Sequence, residues 1–389
     1  MNRRAFLATA PATVLGANDR VRVGVIGSGG RGRFLTAQFK EIGAEMAAVC
    51  DVYEPNLQAG LKEAATGAQS FSDYRKLLDD KSLDAVIVST PDHWHARMVI
   101  DAVQAGKDVY VEKPMTHTIA EADDVVRAVR RSNRIVQVGT QRRSAPLFQD
   151  AKRLMDSAAP GPVRLVNSWW LNHQDGLAQR KLEGALDWRQ WLGSAPKREV
   201  DPLRFFNWYY FYDYSGGLLI GQAAHIMDFI HWFMGSDEPK SVNCTGGEVN
   251  LPGAEIPETA SLAAEYPENY LAVFTIGYQA MRYHPFHDQM NQFHGAKARL
   301  DVGRESYALW PQQNAVDMKP SVKVEQPGSF TPATRAHIRN FLDCVKSRQQ
   351  PNATVENGRS TRIVLSLAIE SLRTGRRLRW NPSTRRGEA

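Results

Sequence analysis

Cysteine is scarce in this chain. Three residues, Cys50, Cys244 and Cys344, are spread over 389 positions, too few and too scattered for a disulfide framework or a zinc cluster. Long apolar runs are missing too: none approaches the roughly 18 residues that a membrane helix needs, so no integral membrane segment is expected. Internal repeats and low-complexity tracts are absent, which removes solenoids and arrays. Charge of one sign is also lacking once the ends are set aside. The formal charge is +6, of which residues 1–17 carry +2 and the stretch from Arg373 onward +5, leaving a body of −1. A basic patch on the folded body, and with it a nucleic-acid partner, is therefore not expected. What is present is ordinary for a folded protein, 43% hydrophobic and 23% charged, at a length that suggests two domains.

The first residues, MNRRAFLATAPATVLGA, pair two arginines with a short apolar region and small residues before Asn18. That is the outline of a twin-arginine export signal. Residues 1–19 are assigned to it, and a periplasmic or otherwise exported protein is expected.

From Val21 short apolar runs alternate with helical patterns. VRVGVIG precedes a helix near 31–42, EMAAVCD one near 54–65, DAVIVST leads to WHARMVIDAVQAG, DVYVEKP to a helix from Ile119, and RIVQVGT closes the series. Thr118 with Glu121 forms a capping box. Strands alternating with helices of this length predict a parallel, doubly wound sheet, a Rossmann domain over 20–142. The turn GSGGRG places Gly27, Gly29 and Gly32 in a G-x-G-x-x-G pattern after a strand and before a helix, where a dinucleotide pyrophosphate is held. Ser28, Gly30 and Arg31 lie within the same turn. Asp51 follows at the end of the next strand, placed to bind the adenosine ribose hydroxyls. It would repel a 2′-phosphate, and no arginine follows it, so NAD is the expected cofactor rather than NADP.

Two features need a reason beyond packing. VYVEKPMTH begins as a buried strand and ends on Glu112, Lys113 and Pro114, an ion pair and a residue that cannot donate to the ladder. Further on, YSGGLLIGQAAHIMDFIHWFMG reads as a helix carrying His225 and Asp228 on one face. Just before it, FFNWYYFYDY holds eight aromatics; most suit the core or a subunit interface, with one or two, Tyr212 among them, touching a ligand. His93 and His95, and His284 and His287, lack a carboxylate or cysteine at a metal spacing, so no metal is expected. KSVNCTGG, TASLAAEY, LAVFTIGYQ, MNQFHG and ARLDV read as antiparallel strands. Helices near 332–347 and 358–374 finish the chain, and Lys323–Pro332 reads as a loop.

The stretches GVIGSGGRG, STPDHWHARMVIDAVQAGKDVYVEKPMT, VQVGTQRR, GGLLIGQAAHIMD and GRRLRWNP together resemble the Gfo/Idh/MocA family of glucose–fructose oxidoreductase and inositol dehydrogenase. The resemblance implies an α/β fold in which the Rossmann domain is followed, over 143–389, by an α/β domain with a large, open, mainly antiparallel sheet. It implies an NAD-dependent sugar or polyol oxidoreductase, with a small carbohydrate bound between the domains, and a homodimer or homotetramer is expected. Carried over, Lys113 stabilises negative charge on the substrate oxygen, Glu112 holds Lys113 or the nicotinamide ribose, and His225 transfers the proton. His95 lines the nicotinamide pocket, with Thr90, Pro91 and Gln141 as further cofactor contacts. Arg142, Trp170, His173 and Gln222 join Tyr212 as candidate substrate contacts. One departure stands out. The sugar dehydrogenases carry an aspartate one turn before this histidine, and here the position is Gly221. That leaves room for a redox-neutral glycosidase similar to the NAD-dependent α-N-acetylgalactosaminidases, or for a binding protein without turnover.

Overall fold

A computed structural model describes residues 20–314 and 316–389; the segment 1–19, to which the export signal is assigned, lies outside them. Six short strands, β1 (Arg22–Ile26), β2 (Glu45–Cys50), β3 (Gln69–Phe71), β4 (Ala85–Val88), β5 (Asp108–Val111) and β6 (Val136–Val138), form one parallel sheet in the order 3-2-1-4-5-6. Helices α1 (Gly30–Glu41), α2 (Glu54–Glu63), α3 (Tyr74–Asp79), α4 (Asp92–Gln104) and α5 (Ile119–Ser132) connect them. This is the dinucleotide-binding order, with its switch point between β1 and β4. The central strands are buried on both faces, which is why they read as unbroken apolar runs. Thr118 and Glu121 do form the capping box that starts α5. The β3 and α3 pair was not legible, because QSF is half exposed and too short to show a period.

After α6 (Pro146–Asp156) the chain enters β7 (Val163–Leu171), the central strand of a second sheet. A long excursion with two short helices, α7 (Trp188–Leu192) and α8 (Pro202–Phe206), leads to α9 (Gly217–Met234). Then come β8 (Ser241–Gly246), β9 (Thr259–Tyr266), β10 (Tyr270–Gly277), β11 (Gln289–Gly295), β12 (Ala298–Gly303), β13 (Ser306–Pro311) and β14 (Val322–Glu325). Helices α10 (Phe330–Ser347) and α11 (Val355–Thr374) precede β15 (Leu378–Asn381) and β16 (Arg386–Glu388). The ten strands pair antiparallel except β7 with β10, which run parallel. Alternation along β9 and β10 buries Leu262, Ala264, Phe274 and Ile276 against α9 and α11 and turns the other face outward.

Two expectations change. Lys323–Pro332 is not a loop throughout: Val322 and Val324 alternate inward on β14, paired with Leu309 and Tyr307, and α10 begins at Phe330. Nor does everything after residue 142 belong to the second layer. Ile338, Phe341 and Leu342 of α10 pack in the core between α1 and the first sheet, and Ala353 and Val355 join the core on its other side. His337 fixes this return. Its Nε2 donates to Val138 O at 2.8 Å while Nδ1 accepts from Ser144 Oγ at 2.7 Å.

His337 is held neutral by burial, as are His93 and His231. His93 Nε2 lies 3.1 Å from Trp191 O, and His231 Nε2 lies 2.7 Å from Tyr266 Oη. Burial pushes their pKa values down to about 4 for His93 and His337 and about 3 for His231. Between the unfolded value of about 6.5 and the folded ones, the unfolded chain binds protons that the folded chain refuses. Stability therefore falls as pH drops through that window, by up to about 4 kcal/mol per pH unit for the three together. His337→Gln is expected to flatten the slope between about pH 6 and 4.5 by about 1.4 kcal/mol per unit relative to the parent. Denaturant unfolding across that range checks it, and an unchanged slope would refute the assignment.

Candidate active site

The glycine turn leaves β1 with Gly27 at φ +86°, where a Cβ would meet Ser89 O at 2.8 Å. At Gly32 a Cβ would strike the Gly27 carbonyl, so helix and strand approach as only glycine allows. The two glycines between them face open space: Asn56 Nδ2 stands 3.9 Å from a Cβ at Gly29, and nothing lies within 4 Å at Gly30. Room at the N-terminus of a helix of 12 residues, lined by backbone amides, fits a pyrophosphate. Asp51 accepts from Ser28 N at 2.8 Å and from Tyr53 N at 2.9 Å. Burial raises its pKa, and these hydrogen bonds work against the shift. Asp51 therefore braces the turn through Ser28 while also lining the adjoining cavity.

That cavity, about 270 Å³, is where the two halves of the chain meet. Arg31, Thr90, Pro91 and Trp94 line it from the first domain; Arg180, Trp191, Phe206 and Trp208 close it from the excursion between β7 and α9. That excursion is fastened across the end of β2. Glu54 N donates to Ala185 O at 2.9 Å, Asp187 N to Val52 O at 2.9 Å, and Glu183 N to Tyr53 Oη at 3.0 Å. Trp94 Nε1 adds a bond to Trp191 O at 2.8 Å, and Ser215 Oγ one to Asp92 at 2.6 Å. The excursion is a strap, and sequence periodicity gave no sign of it because it is held by single backbone and side-chain bonds between distant segments.

Beyond the cavity β5 delivers Lys113, whose bond to Pro114 is cis. Lys113 Nζ donates to Gly221 O on α9 at 3.1 Å, one turn from His225. Burial lowers the lysine pKa, while Glu112 and Asp92 oppose the shift. His225 is also pushed well below the ordinary histidine value, first by burial, then by Lys113, Arg142, Arg31 and Arg304. Its imidazole is neutral near pH 7. Trp170 stands beside it, ring centroids 6.2 Å apart, and with Gln141, Arg142, Gln289 and Arg304 encloses a further cavity of about 40 Å³.

Several candidate residues do other work. Glu112 does not hold the lysine ammonium. Its Oε1 pairs with Arg31 at 2.7 Å and its Oε2 accepts only the Lys113 backbone amide, at 3.3 Å. His95 spends both ring nitrogens between Thr90 O (2.9 Å) and Pro114 O (2.8 Å), so it braces the lysine turn, and Trp94 lines the cofactor cavity instead. Tyr212 lies in a separate crevice under the Arg373 guanidinium, 4.9 Å from its ring. His173 is occupied by Ala280 O at 2.9 Å and Asp175 at 3.3 Å. Gln222 donates to Tyr278 Oη at 2.9 Å, at the edge of the site. Asp228 is taken by a buried ion pair with Arg143, whose Nε donates to both carboxylate oxygens at 3.0 and 2.9 Å, which anchors α9. Sequence reading missed Tyr209. Its hydroxyl overlaps the place a Cβ at Gly221 would occupy, so the glycine one turn before His225 is required by a phenol from another segment. The signal was there, an aromatic run just before a small residue in the helix, but nothing local tied one to the other.

Comparison with known proteins agrees with this architecture. Residues 21–140 match a family model described as an oxidoreductase family with an NAD-binding Rossmann fold, and residues 148–301 match the GFO/IDH/MocA C-terminal domain. Inositol 2-dehydrogenase 2 of Saccharopolyspora erythraea is 38% identical over 362 residues, 91% of this chain and 94% of that protein. Inositol 2-dehydrogenase 1 of the same organism is 36% identical over 150 residues, 38% of this chain and less than half, 44%, of its own length. A solved levoglucosan dehydrogenase in complex with NADH and levoglucosan shares the fold, with a TM-score of 0.75 at 16% identity, covering 92% of this chain and 99% of that one.

The overlap of Tyr209 with position 221 has a measurable consequence. Gly221→Ala is expected to destabilise by about 1–3 kcal/mol, as overpacking does, and Gly221→Asp by at least as much, with no gain in turnover. Combining Gly221→Ala with Tyr209→Ala should recover part of the loss. Additive destabilisation in that double-mutant cycle, read by thermal unfolding, would show that the two residues do not share the space.

Proposed function

Because the chain belongs to the Gfo/Idh/MocA oxidoreductase family, we propose that it interconverts a carbohydrate hydroxyl and the corresponding ketone at the junction of Lys113 and His225. The observation that carries this reading is the 3.1 Å bond from Lys113 Nζ to the Gly221 carbonyl, which brings the cation at the sheet end onto the helix that bears His225. NAD, when bound, takes up the hydride that leaves the carbon. The chain's own groups do the rest. Gly29 and Gly30 leave room for the pyrophosphate, Asp51 faces the ribose side, and the strap keeps water out. Lys113 donates to the substrate oxygen and stabilises the negative charge that develops there. A ring nitrogen of neutral His225 accepts the hydroxyl proton. Trp170 packs beside His225 and lines the small adjoining cavity, where a substituent of the sugar fits. The relatives matched over most of the chain are inositol dehydrogenases, so a ring polyol or sugar is the fitting substrate class. They favour net hydride transfer over redox-neutral glycoside cleavage.

Two further parts of the proposal concern the setting. The strap over the cofactor cavity and the twin-arginine outline of residues 1–19 together support an exported protein that keeps its NAD(H) and regenerates it within the catalytic cycle, since no comparable pool exists outside the cytoplasm. The outward face of the second sheet supports self-association: Leu165 and Leu271 are 38% and 37% exposed there, beside half-buried Trp169 and Val273.

Lys113→Ala and His225→Ala are each expected to lower turnover at least about 10²-fold with folding and NAD binding intact; NADH formation from a sugar and polyol panel measures this, and full activity in Lys113→Ala would sink the mechanism. The purified protein is expected to retain nicotinamide through extensive dialysis, and substitutions that loosen the strap, such as Trp191→Ala, to release it. An empty parent protein found only in the cytoplasm would overturn retention and export together.

A further inference from the structure

The cations around His225 are not evenly compensated. Arg31 is paired with Glu112 at 2.7 Å, Arg143 with Asp228 at 2.9 Å, and Arg304 with Asp288. Among the described residues Arg142 has no such partner. It is 7% exposed, its Nη2 donates to the neutral amide oxygen of Gln289, and its Nη1 is buried with no hydrogen-bond partner. Around the guanidinium stand three aromatic rings, Phe148 at 5.4 Å, Phe229 at 5.6 Å and Trp170 at 5.8 Å. Rings offset part of the cost of burying a cation, but they do not replace an anion. The position one turn before His225, where an acid would supply negative charge, is Gly221, filled by the neutral phenol of Tyr209.

Arg142 also borders the cavity of about 40 Å³ shared with Trp170, His225, Gln289 and Arg304. A space of that size takes a substituent of a few heavy atoms and not a sugar ring. We propose that the substrate is an acidic carbohydrate, a sugar or polyol bearing a carboxylate, and that Arg142 receives that carboxylate beside His225. The inference rests on the reading of this site as a carbohydrate oxidoreductase site. A carboxylate fits better than a phosphate, because Gln289 already holds one guanidinium nitrogen and the space is narrow. Binding would give the guanidinium, through a charge-assisted bond, the anionic partner that it lacks among the described residues. It would also place negative charge where four cations now act on the imidazole.

Calorimetric titration of the NAD-loaded protein with glucuronate, galacturonate, their neutral counterparts glucose and galactose, and glucose 6-phosphate tests this. Each acid is expected to bind at least about 10-fold more tightly than its neutral counterpart, as a charge-assisted bond to a buried cation implies. Arg142→Gln should abolish the difference, and Arg142→Lys should keep part of it. Equal affinities in the parent protein, no binding of either acid, tighter binding of the phosphate, or a preference that survives in Arg142→Gln would each overturn the proposal; the parent comparison stands even if a variant fails to fold. NADH formation, measured in parallel, separates the two readings. Turnover of neutral sugars without any gain for the acids overturns the acidic substrate and leaves the oxidoreductase standing. Arg142-dependent acid binding without hydride transfer supports the acidic ligand and overturns the oxidoreductase.

Discussion

The hydrogen bond from the Lys113 ammonium to the Gly221 carbonyl is the point on which the rest of the molecule turns. It is the place where the end of a parallel sheet touches the main helix of the second domain. Burying an ammonium there is costly, and the Gly221 carbonyl takes one of its donors while the turn that carries it is braced from both sides. His95 clamps the turn between two carbonyls, and Glu112 ties the turn to the first helix through Arg31. The cofactor turn and the lysine are thereby one mechanical unit, and the helix that bears His225 is docked onto it.

The second domain is held in register by ion pairs of similar kind. Arg143 and Asp228, both nearly inaccessible, fix the linker to α9. Had either been missing, the other would be an uncompensated buried charge, which is far more destabilising than the pair is stabilising. The C-terminal part of the chain reinforces the same junction by returning α10 to the first domain, with His337 bonded to both the last strand and the linker. The strap adds a third tie, directly over the nucleotide cavity. These ties leave an interdomain site whose shape is set by packing and in which Arg142, among the described residues, has no carboxylate partner.

Much of this could be read from residue order. The G-x-G-x-x-G turn, the acid after the second strand, the lysine at a strand end and the histidine on a long apolar helix are local patterns. Each works through short-range physics: φ above zero, a helix terminus, a strand boundary, a helical face. The parallel sheet and most strands of the second one followed from apolar patterning, and the capping box from the spacing of Thr118 and Glu121. Elements with little periodicity, such as the three residues of β3 and the short β14, did not.

Other features belong only to the tertiary structure. Arg142 and Arg143 are adjacent and chemically alike, yet one is paired with a carboxylate and the other is not, because Asp228 lies on one side of the linker and a cage of rings on the other. Tyr212 and Tyr209 sit in one aromatic run, yet one lines a separate crevice and the other packs against Gly221 of α9. Gly221 looked like a missing catalytic acid, and its meaning is steric: a phenol brought in by the strap occupies the space. Local sequence determines which backbone conformations and which chemical groups are available. Which of those groups face each other is decided by contacts between segments far apart in the chain, and only the packed structure specifies them.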